Sequence, residues 1–326
     1  MKTVLLFAGW SERYYYDAFL QAAKNNVKIL VFSPDLYPSK IRVSLEMSSR
    51  GLISGHVGGL WSLEGDSMQE HELDICDIDT AWYLRDGHLS EKNVAARFRI
   101  NESRAAVNSL MSVLRCSWIN KRESIEALLS NKLLQQSLAT RCGLLVPRTL
   151  LCNDFLSIEK FSRNKTELLL KTLGYTVLDS KAECFIYSEL FTREELLHAE
   201  TSIRTCPIFT QEYIEKKCEY RIMVIGNQVL ACRIDSQASE KTKIDWRHYD
   251  FAHVQHRKVD LPPTIQFKLL EFMKLANLQY GAIDMIETPS GEFVFLEVNP
   301  SGQWGWIDNL TDLNIPQAVI NMLQEM

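Results

Sequence analysis

Residues 280 to 308, YGAIDMIETPSGEFVFLEVNPSGQWGWID, hold two short apolar runs on either side of a turn. The runs are Gly281 to Glu287 and Glu292 to Val298, and Thr288-Pro289-Ser290-Gly291 separates them. Proline at the second position and glycine at the fourth position of a four-residue turn favour type I. The simplest structure for the stretch is therefore a β-hairpin.

Side-chain alternation along this hairpin brings oxygen-bearing residues to one face. If the four turn residues close the hairpin directly, Asp284 lies opposite Phe295. Asp284, Glu297 and Asn299 then share one face. The other face would carry Val294, Leu296 and Val298.

Two carboxylates and an amide oxygen, with no His or Cys among them, form a set of hard ligands. Such a set suits Mg²⁺ better than zinc. Strand carboxylates that simply face solvent are the alternative. The hairpin continues into Asn299-Pro300-Ser301-Gly302-Gln303-Trp304, a turn-forming loop that suits an aqueous cleft better than a buried core.

The segment FLEVNPSGQWGWID, residues 295 to 308, resembles the signature of ATP-grasp ligases. The branch that it resembles is the one that macrocyclises ribosomal peptides, the microviridin-type or graspetide ligases. The resemblance implies an α/β (α+β) ATP-grasp fold, in which two α+β subdomains clasp ATP behind an N-terminal pre-ATP-grasp α/β domain. The three parts implied are residues 1–120, 121–207 and 208–326.

The same resemblance implies ATP and two Mg²⁺ ions as cofactors, and it assigns the metal to Asp284, Glu297 and Asn299. By spacing alone, Lys132 is a surface lysine, because a helix N-terminus does not favour a cation. Lys171 ends the apolar run LLLK, where a lysine can reach a phosphate. The implied nucleotide-binding set is Lys132, Lys171, the adenine hinge Gln211, Glu212, Tyr213 and Ile214, and Glu219 for the ribose.

Three arginines are candidates for binding the reacting phosphates. Arg221 and Arg233 lie in two apolar runs around Gly226-Asn227, a hairpin signal, and guanidinium contacts phosphate in a bidentate manner. A strict two-residue turn would place them on opposite faces, so either a bulge intervenes or only one points into the cleft. Arg247 lies in residues 234–250, which are polar and indicate a solvated loop. The Ile-Asp-Ser-Gln and Asp-Trp-Arg elements of that segment resemble the peptide-modifying ligases, in which a mobile cationic loop could cover the substrates.

Composition limits the remaining choices. The 326 residues can form two or three domains, and a net charge of −5 argues against a general binder of nucleic acid or anionic membranes. No apolar run approaches the ~18 residues of a membrane span, so we expect a cytosolic protein. The eight cysteines are scattered without a CxxC pair, which predicts reduced and mostly buried thiols. A β-α-β opening is expected from strands at 3–9 and 27–33 around a helix at about 15–24.

By resemblance, the chain is an ADP-forming carboxylate ligase acting on a ribosomal precursor peptide. Asp or Glu side chains would be activated as acyl phosphates and joined to Ser/Thr hydroxyls or Lys amines, which gives ω-ester or ω-amide rings. A leader segment of the peptide would dock on the central domain, and a homodimer is reasonable. A ligase of free amino acids or of a protein terminus is one alternative. An ATP-binding regulatory module without turnover is another, because only Gly174 stands where many ATP-grasp enzymes have a glycine-rich flap.

Overall fold

The computed structural model describes residues 1–10, 19, 27–62, 71–85, 94–174 and 186–326. Of the helix expected at about 15–24 the structure describes only Phe19, which is helical and buried, and the flap after Gly174 lies outside the described residues. The chain divides into two compact units. One comprises Met1–Arg122 with Asn314–Met326, and the other Glu123–Leu313. The three-part division of the chain stays a prediction.

The first unit contains a parallel sheet and a small antiparallel one. Its elements are β1 (Lys2–Ala8), β2 (Val27–Phe32), β3 (Arg42–Met47), β4 (Ile53–Leu60), β5 (His71–Asp74), β6 (Thr80–Arg85), α1 (Val94–Val113), β7 (Ser117–Ile119) and, at the chain's end, α9 (Ile315–Glu325). The parallel sheet has the order β2-β1-β6-β7, and β3-β4-β5 form the antiparallel one. Val4 to Ala8 of β1 are fully buried, as expected for a strand of a parallel sheet. The two strands of the predicted opening are thus confirmed as parallel neighbours.

The second unit contains two antiparallel sheets. Its elements are α2 (Arg122–Leu129), α3 (Lys132–Arg141), β8 (Thr149–Cys152), α4 (Phe155–Ser162), β9 (Glu167–Lys171), β10 (Glu189–Thr192), α5 (Arg193–His198), α6 (Glu200–Thr205), β11 (Ile208–Glu212), β12 (Cys218–Ile225), β13 (Gln228–Ile234), β14 (His256–Val259), α7 (Pro263–Leu275), β15 (Tyr280–Glu287), β16 (Phe293–Asn299) and α8 (Gly305–Thr311). The smaller sheet has the order β10-β9-β11-β8 and the larger β14-β13-β12-β15-β16. This mixed architecture confirms the predicted α/β (α+β) class.

The larger sheet packs one face against helices. Ile222, Ile283 and Phe295 on that face contact a core that includes Leu269 and Phe272 of α7. The opposite face carries the hairpin's polar residues, because successive side chains alternate between faces. The fold therefore leaves one face of a rigid sheet for the site.

The sequence predicted reduced, mostly buried cysteines and no membrane-spanning segment. The described cysteines are all free, but only Cys218 and Cys232 are buried, so the expected burial is wrong for the others. Among the described helices, none has both the length and the apolar character needed to cross a bilayer.

Candidate active site

The predicted hairpin is confirmed as β15 and β16, but its register is not the expected one. Thr288 donates its N–H to the carbonyl of Glu292 at 2.9 Å, which makes the turn one residue longer. Asp284 pairs with Glu297, whereas Phe295 pairs with the residue after Asp284. A β-bulge therefore interrupts the ladder between these two pairs.

The bulge decides which side chains face the site. Residues paired directly across a ladder share a face, so Asp284 and Glu297 lie on one face and Asn299 follows by alternation. Leu296 is the extra residue of the bulge, and Phe295 is turned into the core, where it is fully buried. The expected core-facing position is thus wrong for Val294 and Leu296 but right for Val298, which packs in the same core as Phe295, and the three oxygen-bearing residues share a face as expected.

Arg221 contacts the first of these carboxylates. It lies directly opposite Asp284 in the β12–β15 ladder, and its Nη1 is 3.0 Å from both carboxylate oxygens. Its Nη2 donates to the carbonyl of Gln303 at 3.2 Å, and the residue is 7 % exposed. Arg221 therefore joins the hairpin to the loop that follows it.

Lys132 contacts the second carboxylate. It is the first residue of α3 and forms an ion pair with Glu297. Burial lowers the pKa of Lys132 to about 8, and the like charge of Arg247 adds to this effect. The surface position that spacing alone predicts is wrong, because the ammonium group reaches the site.

Lys171 ends β9 on the smaller sheet and faces the same group of charges. Burial lowers the pKa of Lys171 to about 7, and the nearby cations Lys132, Lys216 and Arg247 lower it further. Asp245 has the opposite effect on it. Lys171 of the smaller sheet and Lys132 of α3 are thus close enough to bind one polyanion together.

The expected hinge comprises the last two residues of β11 and the two that follow it. Gln211 is buried and its amide donates to the hydroxyl of Thr149 at 3.0 Å. The carboxylate of Glu212 binds Lys165 at 3.0 Å, so both side chains are used within the smaller sheet. Tyr213 and Ile214 come after the end of the strand, where backbone groups can serve a ligand.

Glu219, the predicted ribose ligand, is held in a buried ion pair. Its carboxylate accepts a hydrogen bond from Lys216 Nζ at 2.8 Å, and Lys216 also donates to the carbonyl of Ile244 at 2.9 Å. Burial raises the pKa of Glu219 although the Lys216 charge opposes this. Lys216 was not predicted from the sequence, and its only local signal is the i, i+3 spacing to Glu219.

Arg233 lies on the other face of the sheet from Arg221. The β12–β13 ladder is regular, and Arg233 pairs with Tyr220, whose ring packs in the core. Arg233 Nε donates to Asp235 at 2.8 Å, and Arg257 binds the same carboxylate at 2.5 Å. Arg233 was predicted as a residue of the cleft. The register corrects this prediction, because Arg221 faces Asp284 and Arg233 lies on the opposite face.

Arg247 lies on a short 3-10 turn and links two parts of the second unit. Its Nε donates to Asp245 at 2.8 Å, while the N–H of Ser188, just before β10, donates to the same carboxylate at 3.0 Å. Burial by itself would raise the pKa of Asp245, but the hydrogen bonds and charge of Arg247 outweigh it and hold that pKa well below its usual range. Asp245 is 5 % exposed, so the predicted solvated loop is wrong at this position.

An aromatic cluster beside Arg247 was not predicted as part of the site. Trp246 stacks on Trp306 with ring centroids 4.9 Å apart, and Tyr249 stacks on Phe251 at 5.2 Å. His256 contacts both Phe251 and Trp306. Tyr249 and Phe251 remain 45 % and 54 % exposed, so this aromatic surface is available to a substrate.

The loop after β16 packs closely on the hairpin. A Cβ added at Gly302 would lie 2.3 Å from the Cβ of Ala282 and 3.0 Å from Nη2 of Arg221. The hydroxyl of Tyr280 donates to the carbonyl of Gly302 at 2.8 Å, and Asn299 Oδ1 accepts from the N–H of Ser301 at 3.0 Å. Only glycine fits at position 302.

These residues fit a magnesium–nucleotide complex. The donor set consists of two carboxylates and one amide oxygen, the chemistry that Mg²⁺ prefers. Within the described part of the chain there is no cluster of three or more His, Cys, Asp or Glu suited to a metal, as expected where one ligand is an asparagine. Lys132, Lys171 and Arg221 would supply positive charge for the phosphates of a bound nucleotide.

Comparisons with known proteins agree with this geometry. The profile of the RimK-like ATP-grasp domain matches residues 129–323. The macrocyclase MdnC of Microcystis aeruginosa MRC, solved with the precursor peptide MdnA, is 28% identical with a TM-score of 0.82, over 99% of this chain and 100% of that one. A RiPP-associated ATP-grasp ligase of Chryseobacterium gregarium, in complex with ADP and a leader and core peptide, is 27% identical with a TM-score of 0.85, over 100% and 97%. No curated protein matches the chain.

Proposed function

Because the chain belongs to the RimK-like ATP-grasp family and is an ADP-forming ligase, we propose that its substrate is a ribosomally made precursor peptide. Two similar structures, MdnC and the Chryseobacterium gregarium ligase, were solved with such peptides. Both align with nearly the whole chain. Their likeness therefore supports a peptide substrate as well as the fold.

The reaction that we infer has two steps. A carboxylate is a poor acyl donor, because its leaving group would be oxide. The side-chain carboxylate of a peptide Asp or Glu first attacks the γ-phosphorus of ATP, which gives an acyl phosphate and ADP. A Ser or Thr hydroxyl, or a Lys amine, then attacks the acyl carbon, loses a proton and expels phosphate. Each ring removes the elements of one water from the peptide.

The protein's contribution to phosphoryl transfer is positioning and charge neutralisation. Magnesium, when bound, would neutralise charge on the phosphate oxygens, and Asp284, Glu297 and Asn299 would hold it. Lys171 and Lys132 would bind the phosphates, whose negative charge would restore the charged form of each lysine that burial disfavours. Arg221, freed from Asp284, would contact the transferred phosphoryl group.

One observation carries the proposal. Asp284 and Glu297 are direct cross-strand partners, and each is paired with a cation, Arg221 and Lys132 respectively. A purely structural pair of strand carboxylates would not need a buried arginine, a half-buried lysine and a further cation, Lys171, close to that lysine. This arrangement suits a site that exchanges its own ion pairs for a metal and a polyphosphate.

The hinge, the leader and the acceptor complete the proposal. Backbone groups of Tyr213 and Ile214 would hold adenine, with Glu219 beside the ribose. The leader of the peptide would dock on the smaller sheet of the second unit. Arg247 and the exposed rings of Tyr249 and Phe251 would contact the reacting part of the peptide.

Mass spectrometry of the candidate peptide provides the test. The peptide encoded by a neighbouring small open reading frame is incubated with the protein, ATP and Mg²⁺, and we expect release of ADP with loss of one water per ring. Asp284→Ala and Glu297→Ala should abolish both signals. Glu292→Ala, at the exposed turn of the same hairpin, is the matched control and should retain them.

Two results would overturn the peptide proposal. ADP release with free amino acids and no peptide would identify a ligase of amino acids. Nucleotide binding without ADP release in the presence of the cognate peptide would identify a regulatory module. Turnover that persists in both Asp284→Ala and Glu297→Ala would remove the metal assignment.

A further inference from the structure

Gln135 joins α3 to the strand that carries two of the proposed metal ligands. It lies three residues after Lys132 and is 2 % exposed. Its Oε1 accepts from the N–H of Val298 at 2.9 Å, and its Nε2 donates to the carbonyl of Val298 at 3.0 Å. Nε2 also donates to the carbonyl of Leu128, at the end of α2, at 2.7 Å. The side-chain amide thus makes the two backbone hydrogen bonds to Val298 that a neighbouring strand would otherwise make.

These bonds satisfy backbone groups at the outer edge of the sheet. β16 is an edge strand, and an edge strand has backbone groups that point away from the sheet. Val298 is 3 % exposed, so water has little access to its N–H and carbonyl. Further along the same edge, the N–H of Phe295 donates to the carbonyl of Leu145 at 2.8 Å. The strand is therefore fixed on both sides of the bulge.

Val298 lies between Glu297 and Asn299, so the contact with Gln135 acts directly on the proposed ligands. On the same helix, Lys132 binds Glu297, which means that α3 contacts two successive residues of β16. If α3 shifted along the strand, both contacts would be lost together. The orientation of Glu297 and Asn299 thus depends on the buried side-chain amide of Gln135.

We propose that Gln135 is a positioning residue for the magnesium site. It holds the backbone of Val298, and thereby keeps Glu297 and Asn299 directed at the metal, without touching metal or nucleotide itself. This inference rests on the proposed function, because it concerns the same magnesium site. Partners that orient metal ligands affect metal affinity strongly although they do not bind the metal.

The chain contains a matched control for this proposal. Gln136 is the next residue on α3, is 5 % exposed, and has the same side chain. Its Nε2 has no hydrogen-bond partner among the residues that the structure describes. Gln135→Met and Gln136→Met therefore remove the same amide at equal burial, but only the first removes the bonds to Val298. Methionine is unbranched and of similar length, which limits the packing change.

The test separates metal binding from stability. The melting temperature of each full-length variant is measured alone, with ADP and EDTA, and with ADP and Mg²⁺. In the unsubstituted protein, Mg²⁺ should raise the melting temperature beyond the increase that ADP alone gives. We expect Gln135→Met to lose most of this Mg²⁺-dependent increase and Gln136→Met to retain it. The Mg²⁺ concentration for half-maximal ADP release should rise roughly 10- to 100-fold in Gln135→Met, with a smaller change in the rate at saturating Mg²⁺.

Gln135→Glu provides a second measurement in case the methionine variant does not fold. It keeps an acceptor for the Val298 N–H but no longer donates to Val298 or Leu128, so a partial loss of the Mg²⁺-dependent increase is expected. A normal Mg²⁺ requirement in the Gln135 variants, or an equal change in Gln136→Met, would overturn the positioning role alone. If the unsubstituted protein shows no Mg²⁺-dependent increase, the magnesium site and the ligase proposal fail with it.

Discussion

Nucleotide binding should place a proton on Lys171 at pH 8. Burial lowers the pKa of this lysine to about 7, and the like charge of Lys132 contributes next. A phosphate beside the ammonium group favours its charged form and raises the pKa again. The empty protein therefore holds fewer protons than the complex above pH 7, so the affinity for nucleotide should fall as the pH rises.

The size of the effect follows from the pKa. At one pH unit above a pKa of about 7, about 90% of Lys171 is neutral, so binding at pH 8 should take up about 0.9 proton at this residue. At pH 6 the uptake should be only about 0.1 proton. Lys132, whose pKa burial also lowers, should add to this uptake. The apparent dissociation constant should rise at most about tenfold per pH unit for each lysine.

Calorimetry measures this uptake. ADP and Mg²⁺ are titrated into the protein at pH 8 in buffers with different heats of ionisation, and the dependence of the observed enthalpy on buffer gives the number of protons. Lys171→Arg keeps the positive charge but does not titrate, so its uptake should be lower by about 0.9 proton. Zero uptake in the unsubstituted protein, or full uptake in Lys171→Arg, would refute the reasoning.

Three further substitutions test other contacts of the site. Gly302→Ala introduces a Cβ 2.3 Å from a side chain of β15 and should lower the free energy of unfolding by about 1–3 kcal/mol, whereas Gly174→Ala, whose Cβ would meet no atom of the described residues within 4 Å, should change it little in the same urea titration. Lys216→Met leaves a buried carboxylate without its cation and should cost about 3–5 kcal/mol, and an unchanged denaturation midpoint would contradict the ion pair. Arg221→Gln should reduce the rate of ADP release by about 100-fold or more, but Arg233→Gln by about twofold at most, and equal losses would argue against the assignment of faces.

Local sequence patterns predicted the hairpin and its polar face, because alternation and turn residues act over a few positions. They did not predict the bulge at Leu296. The extra residue is set by non-local contacts, since Phe295 enters the core and also donates its N–H to Leu145. Alternation on two strands was therefore right about Asp284 and Val298 and wrong about Phe295 and Val294, which the bulge places on the faces opposite to those expected.

The positions of Arg221 and Arg233 also depend on non-local contacts that local patterns do not predict. The sequence left open whether a bulge brings Arg221 and Arg233 to one face or a strict turn places them on opposite faces, and the regular ladder selects the second. Which face carries the site depends on the pairing of β12 with β15, about 60 residues later in the chain. Gln135 is a stronger example, because a buried amide that bonds to a distant strand has no local signature at all.

The two ion pairs of the site have a consequence for the order in which ligands arrive. Asp284 and Glu297 are already neutralised by Arg221 and Lys132, so a free divalent ion meets acids whose charge is compensated, and a free triphosphate meets cations that are engaged. The preassembled complex of ion and triphosphate can exchange partners with both pairs at once, and it brings less negative charge into the site than the free triphosphate does. Such an exchange makes the complex the preferred incoming species and disfavours idle loading with either component alone.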